Sequence, residues 1–168
     1  MKKPVFIVYI AVFALFVWAD RVFKDLVSGH MQLGEAIPAA DAFFSIRYVI
    51  NDGVSFSMLR GNTTLLIVLQ SALFIITAAI LIRTYLKIRH PVLQTGLTWI
   101  VAGGAGNLTD RIRFGYVIDY ISVGRFPIWN FADMCIIGGC ILLGVYVFFL
   151  YGKKPREDGV PPSDREND

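Results

Sequence analysis

The sequence predicts an all-α membrane protein with four transmembrane helices, and three observations support this prediction. Hydrophobic residues make up 55% of the 168-residue chain, whereas charged residues make up only 17%. The hydrophobic residues are concentrated in long runs, and a helix needs about 20 apolar residues to cross a bilayer. Lysine and arginine residues gather at the ends of these runs, as in membrane proteins. The predicted spans are residues 4–20, 63–82, 92–108 and 131–151.

The first of these runs also allows a second interpretation. Lys2 and Lys3 precede it, and Val17-Trp18-Ala19 resembles the cleavage site of a secretory signal. Cleavage there would separate Asp20 from its helix. A membrane anchor is the preferred interpretation.

Charge and cysteine content exclude several classes of function. The net charge of +3 is too small, and the basic residues too scattered, to indicate a nucleic-acid partner. Cys135 and Cys140 lie within one hydrophobic run, which is typical of small buried residues. His30 and His90 lie in different segments, and the sequence contains no motif typical of a metal site. We therefore expect no nucleic acid, no metal and no cofactor, and nothing in the sequence implies an oligomer.

The distribution of basic residues predicts the orientation of the chain in the membrane. Short basic stretches occur at both termini and between the second and third runs, whereas the other two connecting segments also carry many acids. We therefore expect both termini in the cytoplasm and the acid-bearing segments outside it. The polar, proline-rich residues 152–168 should form a disordered cytoplasmic tail, which leaves residues 1–151 as the membrane domain.

The segment between the first two spans is too long to be a simple connection. β-Branched and aromatic residues surround Asn51-Asp52-Gly53 within residues 42–60. Such a turn between two β-prone stretches favours a hairpin or a small sheet. We expect this β-region to lie at the extracytoplasmic membrane surface, although Asn51 and Gly53 could also form a plain turn.

Two acids are the leading candidates for chemistry. Asp119 precedes the fourth run and Asp133 lies at its start, so both should lie at the same membrane face. Each has an ordinary alternative: Asp119 could be a solvated loop acid, and Asp133 could form a capping box with Asn130. The competing classes are a small transporter, which would more often have an acid at mid-helix, and a purely structural membrane protein.

Other polar residues lie close to the predicted spans. Asp20 and Lys24 are four residues apart, a spacing typical of an ion pair on a helix surface. A glycine-rich stretch that includes Gly104 would let helices pack closely. Three polar residues follow that stretch within about one helical turn of one another, and they are Asn107, Asp110 and Arg111.

Together these motifs resemble those of the lipoprotein signal peptidases (signal peptidase II). The matching motifs occur in the order found in that family and span residues 20–133. In sequence order they are Asp20 with Lys24, Asn51-x-Gly53 with Phe56-Ser57, Gly103-Gly104-Ala105-Gly106-Asn107 with Asp110-Arg111, Gly115-x-Val117-x-Asp119, and Phe126-Pro127-x-x-Asn130-x-Ala132-Asp133.

The resemblance implies an aspartyl endopeptidase of the bacterial cytoplasmic (inner) membrane, with Asp119 and Asp133 as the catalytic pair. Its substrate would be a prolipoprotein that carries a diacylglyceryl-Cys and is cleaved before that Cys; membrane lipids and globomycin-type inhibitors would be its other partners. The resemblance implies four transmembrane helices, a small extracytoplasmic β-cradle, a surface helix, and an active site near the extracytoplasmic face. The residues that support the site or bind substrate would be Asp20, Lys24, Asn51, Gly53, Gly104, Asn107, Asp110, Arg111, Asn130 and Ala132.

Overall fold

The computed structural model describes residues 3–38, 43–53, 62–88 and 90–151. These residues form a helical bundle with a small sheet at one end. The helices are α1 (Lys3–His30), α2 (Thr63–Lys87), α3 (Pro91–Phe114) and α4 (Phe131–Val145), which continues as a π-helical turn (Tyr146–Leu150). The strands are β1 (Ala36–Pro38), β2 (Phe44–Asn51) and β3 (Val117–Val123).

Among the described residues, three helices are long and apolar enough to cross a membrane. They are Phe6–His30, Thr63–Lys87 and Phe131–Leu150. Large apolar side chains such as Ile7 and Leu73 are exposed on their outer surfaces, as expected where the solvent is lipid. The chain is therefore a multi-pass membrane protein.

Helix α3 is the central helix of the bundle, and its status as a fourth span remains a prediction. It contacts α1, α2 and α4, so little of its surface is left to face lipid. Gln94, Thr98 and Asn107 are buried in it. These polar side chains and its glycines lower its hydropathy, which is why apolar composition alone does not identify it as a span.

Two helices extend further than their hydrophobic runs predict. α1 continues without a break through Ala19 to His30, so Asp20 and Lys24 lie within the helix and not at its end. α3 continues to Phe114 and ends at Gly115, whose φ of 83° is in the left-handed region that favours glycine. The extension continues the face of α3 that carries Asn107 by one more turn.

The sheet is antiparallel in the order β1-β2-β3. Strand β2 lies in the predicted β-region and is the central strand, but its neighbour β3 comes from the segment before α4, which the sequence did not mark as a strand. In this register Val49 lies opposite Asp119. Ile118 and Tyr120 of β3 pack against Val27 of α1, which fixes the sheet to one end of the bundle.

Three further sequence predictions are not tested by the described residues. The described residues contain no separate surface helix. Residues 54–60, which include Phe56 and Ser57, lie outside the described residues, as does the predicted tail, residues 152–168.

Glycines allow α3 and α4 to pack with their backbones in contact. A Cβ atom added to Gly139 would lie 2.5 Å from the carbonyl oxygen of Gly96. A Cβ atom on Gly103 would overlap the carbonyl oxygen of Ala132. Close packing is therefore confirmed at Gly103, whereas a Cβ atom on Gly104 would make only an ordinary contact, 3.7 Å from Phe74.

Candidate active site

The fully buried side chain of Asn130 connects the two candidate acids. Its Nδ2 donates a 2.6 Å hydrogen bond to Asp119 Oδ1, and its Oδ1 accepts a 2.9 Å hydrogen bond from the backbone N–H of Asp133. Asn130 is the N-cap of α4, and Asp119 lies on β3. The start of α4 and strand β3 thus meet at Asn130, whose side-chain amide contacts the Asp119 carboxyl and the backbone of Asp133.

Asp133 forms the capping box that the sequence allowed, and it also has a contact outside the cap. Its Oδ2 accepts a 3.2 Å hydrogen bond from the backbone N–H of Asn130, which completes the capping box. Its Oδ1 accepts a 2.7 Å hydrogen bond from Nδ2 of Asn107 on α3. Only Oδ2 of Asp133 therefore takes part in the cap, whereas Oδ1 belongs to a polar cluster between α3 and α4.

Asp119 is a buried strand residue, so its interpretation as a solvated loop acid is wrong. Its exposed fraction is 2%, and its Oδ2 accepts a 2.9 Å hydrogen bond from Asn51 Nδ2. Burial raises the pKa of the Asp119 carboxyl from its ordinary value near 3.8 to about 7, and the negative charge of Asp133 acts in the same direction. The hydrogen bonds from Asn51 and Asn130 oppose this rise in pKa.

Lys24 lies at the centre of a buried charged cluster beneath the two acids. Its side chain is 0% exposed and contacts Asp20 Oδ2 at 2.7 Å, Asp110 Oδ2 at 3.0 Å and Asn107 Oδ1 at 3.1 Å. All three ammonium protons therefore have acceptors. Asp20 Oδ1 in turn accepts a 3.0 Å hydrogen bond from the backbone N–H of Ala132, at the start of α4. The interpretation of Asp20 and Lys24 as a surface ion pair is thus wrong.

This cluster fixes the amide of Asn107. Asn107 Oδ1 accepts hydrogen bonds from both Lys24 and Asn130 Nδ2, the latter at 3.0 Å. Because two donors occupy the oxygen, the amide nitrogen of Asn107 must face Asp133. The ammonium group of Lys24 therefore helps to orient the Asn107 amide so that its nitrogen, and not its oxygen, faces the Asp133 carboxyl.

Arg111 lies on the other side of the site and holds the turn after β2. Its Nη2 donates a 2.7 Å hydrogen bond to the carbonyl oxygen of Gly53, and its Nη1 donates one of 2.7 Å to Gln70 Oε1. The backbone N–H of Gly53 donates to Asn51 Oδ1 at 3.1 Å. Asn51 and Gly53 thus form a turn, as one interpretation of the sequence proposed, and this turn also presents the Asn51 amide to Asp119.

Two further residues contact this polar network that no sequence motif indicated, Arg21 and Gln70. Arg21 donates to Asp110 Oδ1 at 2.9 Å through Nη1, and the 3.3 Å hydrogen bond from the backbone N–H of Ile118 holds the other oxygen of Asp110. Gln70 lies in α2, far from the motifs in sequence. An amide within a strongly apolar run was the signal that could have identified Gln70.

The two carboxyls lie close enough to interact electrostatically, since the charge of Asp133 contributes to the raised pKa of Asp119. Asp119 and Asp133 differ in their surroundings, because Asp119 is held by two side-chain amides and Asp133 by one amide and a helix N-terminus. Two neighbouring carboxyls do not both ionise easily, so such a pair can hold one proton between them. One group can then act as a base and the other as an acid.

Comparison with known proteins gives the family. The family described as Signal peptidase (SPase) II matches residues 12–149 of this chain. The chain belongs to the signal peptidase II family. It is therefore a membrane peptidase, and the transporter and the purely structural classes are wrong for it.

Individual relatives agree with this assignment. A lipoprotein signal peptidase of Dehalococcoides mccartyi is 42% identical over 132 residues, covering 76% of this chain and 80% of the relative. One from Halothermothrix orenii is 37% identical and covers 84% of this chain and 94% of the relative. A solved structure described as a bacterial membrane enzyme aligns with a TM-score of 0.75 at 26% identity, covering 89% of this chain and 94% of that structure.

Proposed function

We propose that this signal peptidase II is an aspartyl endopeptidase that removes the signal peptide from diacylglyceryl-modified bacterial prolipoproteins, with cleavage just before the lipidated Cys. Asp119 and Asp133 are its catalytic residues. The observation that supports this most strongly is that Asn130 donates a hydrogen bond to each carboxyl, from its side-chain amide to Asp119 and from its backbone N–H to Asp133. The relatives named lipoprotein signal peptidase support the class of substrate.

The two acids have different roles in the proposed reaction. Asp119, with a pKa of about 7, holds a proton near neutral pH and donates it to the carbonyl oxygen of the scissile bond. Asp133 accepts two N–H hydrogen bonds at the N-terminus of α4, and such donors stabilise a carboxylate. Asp133 therefore takes a proton from water as the water oxygen attacks the carbonyl carbon. A proton then passes to the leaving nitrogen as the C–N bond breaks, and no covalent intermediate forms.

The surrounding residues have supporting roles in this proposal. Asn51, Asn107 and Asn130 orient the two carboxyls, and Arg111 keeps the turn at Gly53 in place. Asp20, Lys24, Asp110 and Ala132 hold α1, α3 and α4 together beneath the site. Gly104 lies on the face of α3 toward α2 and contributes least to the site.

Membrane placement follows from the same proposal. With α3 as a fourth span, both termini lie in the cytoplasm and the site lies near the extracytoplasmic face of the inner membrane. The apolar outer surfaces of the helices would contact membrane lipids and the diacylglyceryl chains of the substrate. Globomycin-type inhibitors would bind at the same site.

The test compares a lipidated precursor with the same precursor lacking the diacylglyceryl group, using purified protein in detergent. We expect efficient cleavage of the lipidated form and poor cleavage of the bare form, because acyl burial contributes roughly 0.8 kcal/mol per CH₂. The scissile bond is identified by mass spectrometry of the products. Equal cleavage of both forms, or cleavage elsewhere than before the Cys, would contradict the proposed substrate.

A further inference from the structure

Gln70 is a polar side chain inside a membrane-spanning helix, about two turns after the start of α2. An amide without partners in hydrocarbon costs several kcal/mol, so a glutamine at this depth needs a specific contact. Its side chain is partly buried and faces α3, not lipid.

The main contact of Gln70 is the guanidinium of Arg111. Gln70 Oε1 accepts a 2.7 Å hydrogen bond from Arg111 Nη1. Because arginine has only donors, the amide oxygen and not the amide nitrogen must face it. The other contact, from Gln70 Nε2 to the carbonyl oxygen of Gly104, is long at 3.5 Å and contributes little.

A continuous series of hydrogen bonds leads from this contact to a catalytic carboxyl. Arg111 Nη2 donates to Gly53 O at 2.7 Å. Gly53 N donates to Asn51 Oδ1 at 3.1 Å, and Asn51 Nδ2 donates to Asp119 Oδ2 at 2.9 Å. The amide on α2 is therefore linked to Asp119 on β3 through one side chain and one turn.

We propose that Gln70 is a positioning residue for the peptidase reaction, acting on Asp119 through Arg111 and the turn at Gly53. This inference rests on the proposed function. Among the described residues, the hydrogen bonds of the Gln70 side chain go to Gly104 and Arg111 and not to the two acids. Its part is to fix the plane of the Arg111 guanidinium.

The guanidinium of Arg111 depends on Gln70 because it has few acceptors. Arg111 is buried, and its Nε has no partner among the described residues. Without Gln70, Nη1 would also lose its acceptor, and a buried donor without an acceptor favours rearrangement toward any available oxygen. Rotation of the guanidinium would release Gly53 and with it the orientation of Asn51.

The experiment compares three variants with wild type, using the lipidated precursor and protein whose insertion and thermal stability in detergent have been checked. Gln70→Leu removes the acceptor at similar volume, whereas Gln70→Glu keeps an oxygen facing Arg111. Thr77→Val is the matched control, because Thr77 lies two turns further along the same helix and its hydroxyl bonds, among the described residues, to Leu73 O of that helix. We expect Gln70→Leu to lower kcat about tenfold or more with little change in KM, and Gln70→Glu and Thr77→Val to stay close to wild type.

The pH profile distinguishes positioning from simple packing. The hydrogen bond from Asn51 lowers the pKa of Asp119, so loosening it should raise that pKa. The alkaline limb of activity should therefore move to higher pH in Gln70→Leu. A variant that only loosens helix packing would lose activity without moving this limb.

Arg111→Ala supplies the final comparison. If Gln70 acts through Arg111, adding Gln70→Leu to Arg111→Ala should cause no further loss of kcat. A full additional loss, or Gln70→Leu protein with the wild-type kcat and pH profile, would overturn the inference. Wild-type protein that fails to cleave the precursor would instead overturn the proposed function.

Discussion

The contact between α3 and α4 has two buried regions that are stabilised in different ways. At the site end, Asn107 and Asn130 meet through a 3.0 Å hydrogen bond within a polar network. Further along the same helices, Gly96 and Gly139 bring the two backbones together, and neither has a side chain. Hydrogen bonds between polar side chains hold the first region together. In the second region, the lack of side chains lets the two backbones pack in contact.

This difference separates chemistry from packing. In the polar region, a change of one atom type can leave the shape intact while removing a proton donor or acceptor. In the glycine region, one added methyl group must displace backbone, although no reacting group lies there. The two regions should therefore respond to substitution in opposite ways.

The largest expected effect is in the polar region. Asp119→Asn and Asp133→Asn should each lower the rate of precursor cleavage by at least about a thousandfold, because an amide can act neither as the base nor as the acid. Both variants should still insert, with a loss of stability of about 1–3 kcal/mol, because the new amide nitrogen would face an N–H donor that now meets a carboxylate oxygen. The double variant should be little slower than either single variant, because the two acids act as one unit.

A near wild-type rate for correctly inserted Asp133→Asn would contradict this comparison. It would reduce Asp133 to the capping role that the structure also shows, for which the expected cost is stability of about 1 kcal/mol and not activity.

The next effect concerns the glycine region. Gly139→Ala should lower the free energy of unfolding by about 1–3 kcal/mol, because the new Cβ atom would lie 2.5 Å from Gly96 O and 2.6 Å from Ile100 Cγ1. Gly144→Ala on the same helix is the control, since a Cβ atom there meets nothing within 4 Å. Thermal or denaturant unfolding in detergent measures both, and the folded fraction of Gly139→Ala should still cleave. Equal stability of the two variants would show that the backbone contact is dispensable.

The smallest effect is the pH dependence of wild-type activity. With the pKa of Asp119 raised from near 3.8 to about 7, the protonated acid persists to neutral pH, and kcat/KM should fall about tenfold per unit as pH rises above 7. The same sign applies to stability: the contribution of protonated Asp119 is fully present below about pH 3.8 and is lost as pH rises from there to about 7.

Gly144→Ala should leave the alkaline limb of kcat/KM unchanged, because the glycine region does not contact Asp119. If activity in wild type already fell with rising pH near pH 4, Asp119 would be ionised at neutral pH and could not be the acid. The limbs of such a profile belong to the pair of carboxyls and not to one residue.

Local sequence patterns predicted much of this protein. Apolar runs identified α1, α2 and α4 as spans because the thickness of the bilayer sets the length of a run, which is a local property. Motifs identified Asp119, Asp133 and most of their partners. The turn residues Asn51 and Gly53 marked the end of a strand, because such residues favour tight turns wherever they occur.

Only the tertiary structure decided which of these residues meet and how deeply they are buried. Lys24 and Asn107 are separated by 83 positions, and Asp20 and Ala132 by 112, so no local pattern could show that their contacts are buried. Residues 117–123 form a strand because they pair with β2, and Gln70 contacts Arg111 because α2 packs on α3. Hydrogen-bond partners and burial depend on contacts between distant segments, and the folded chain alone specifies them.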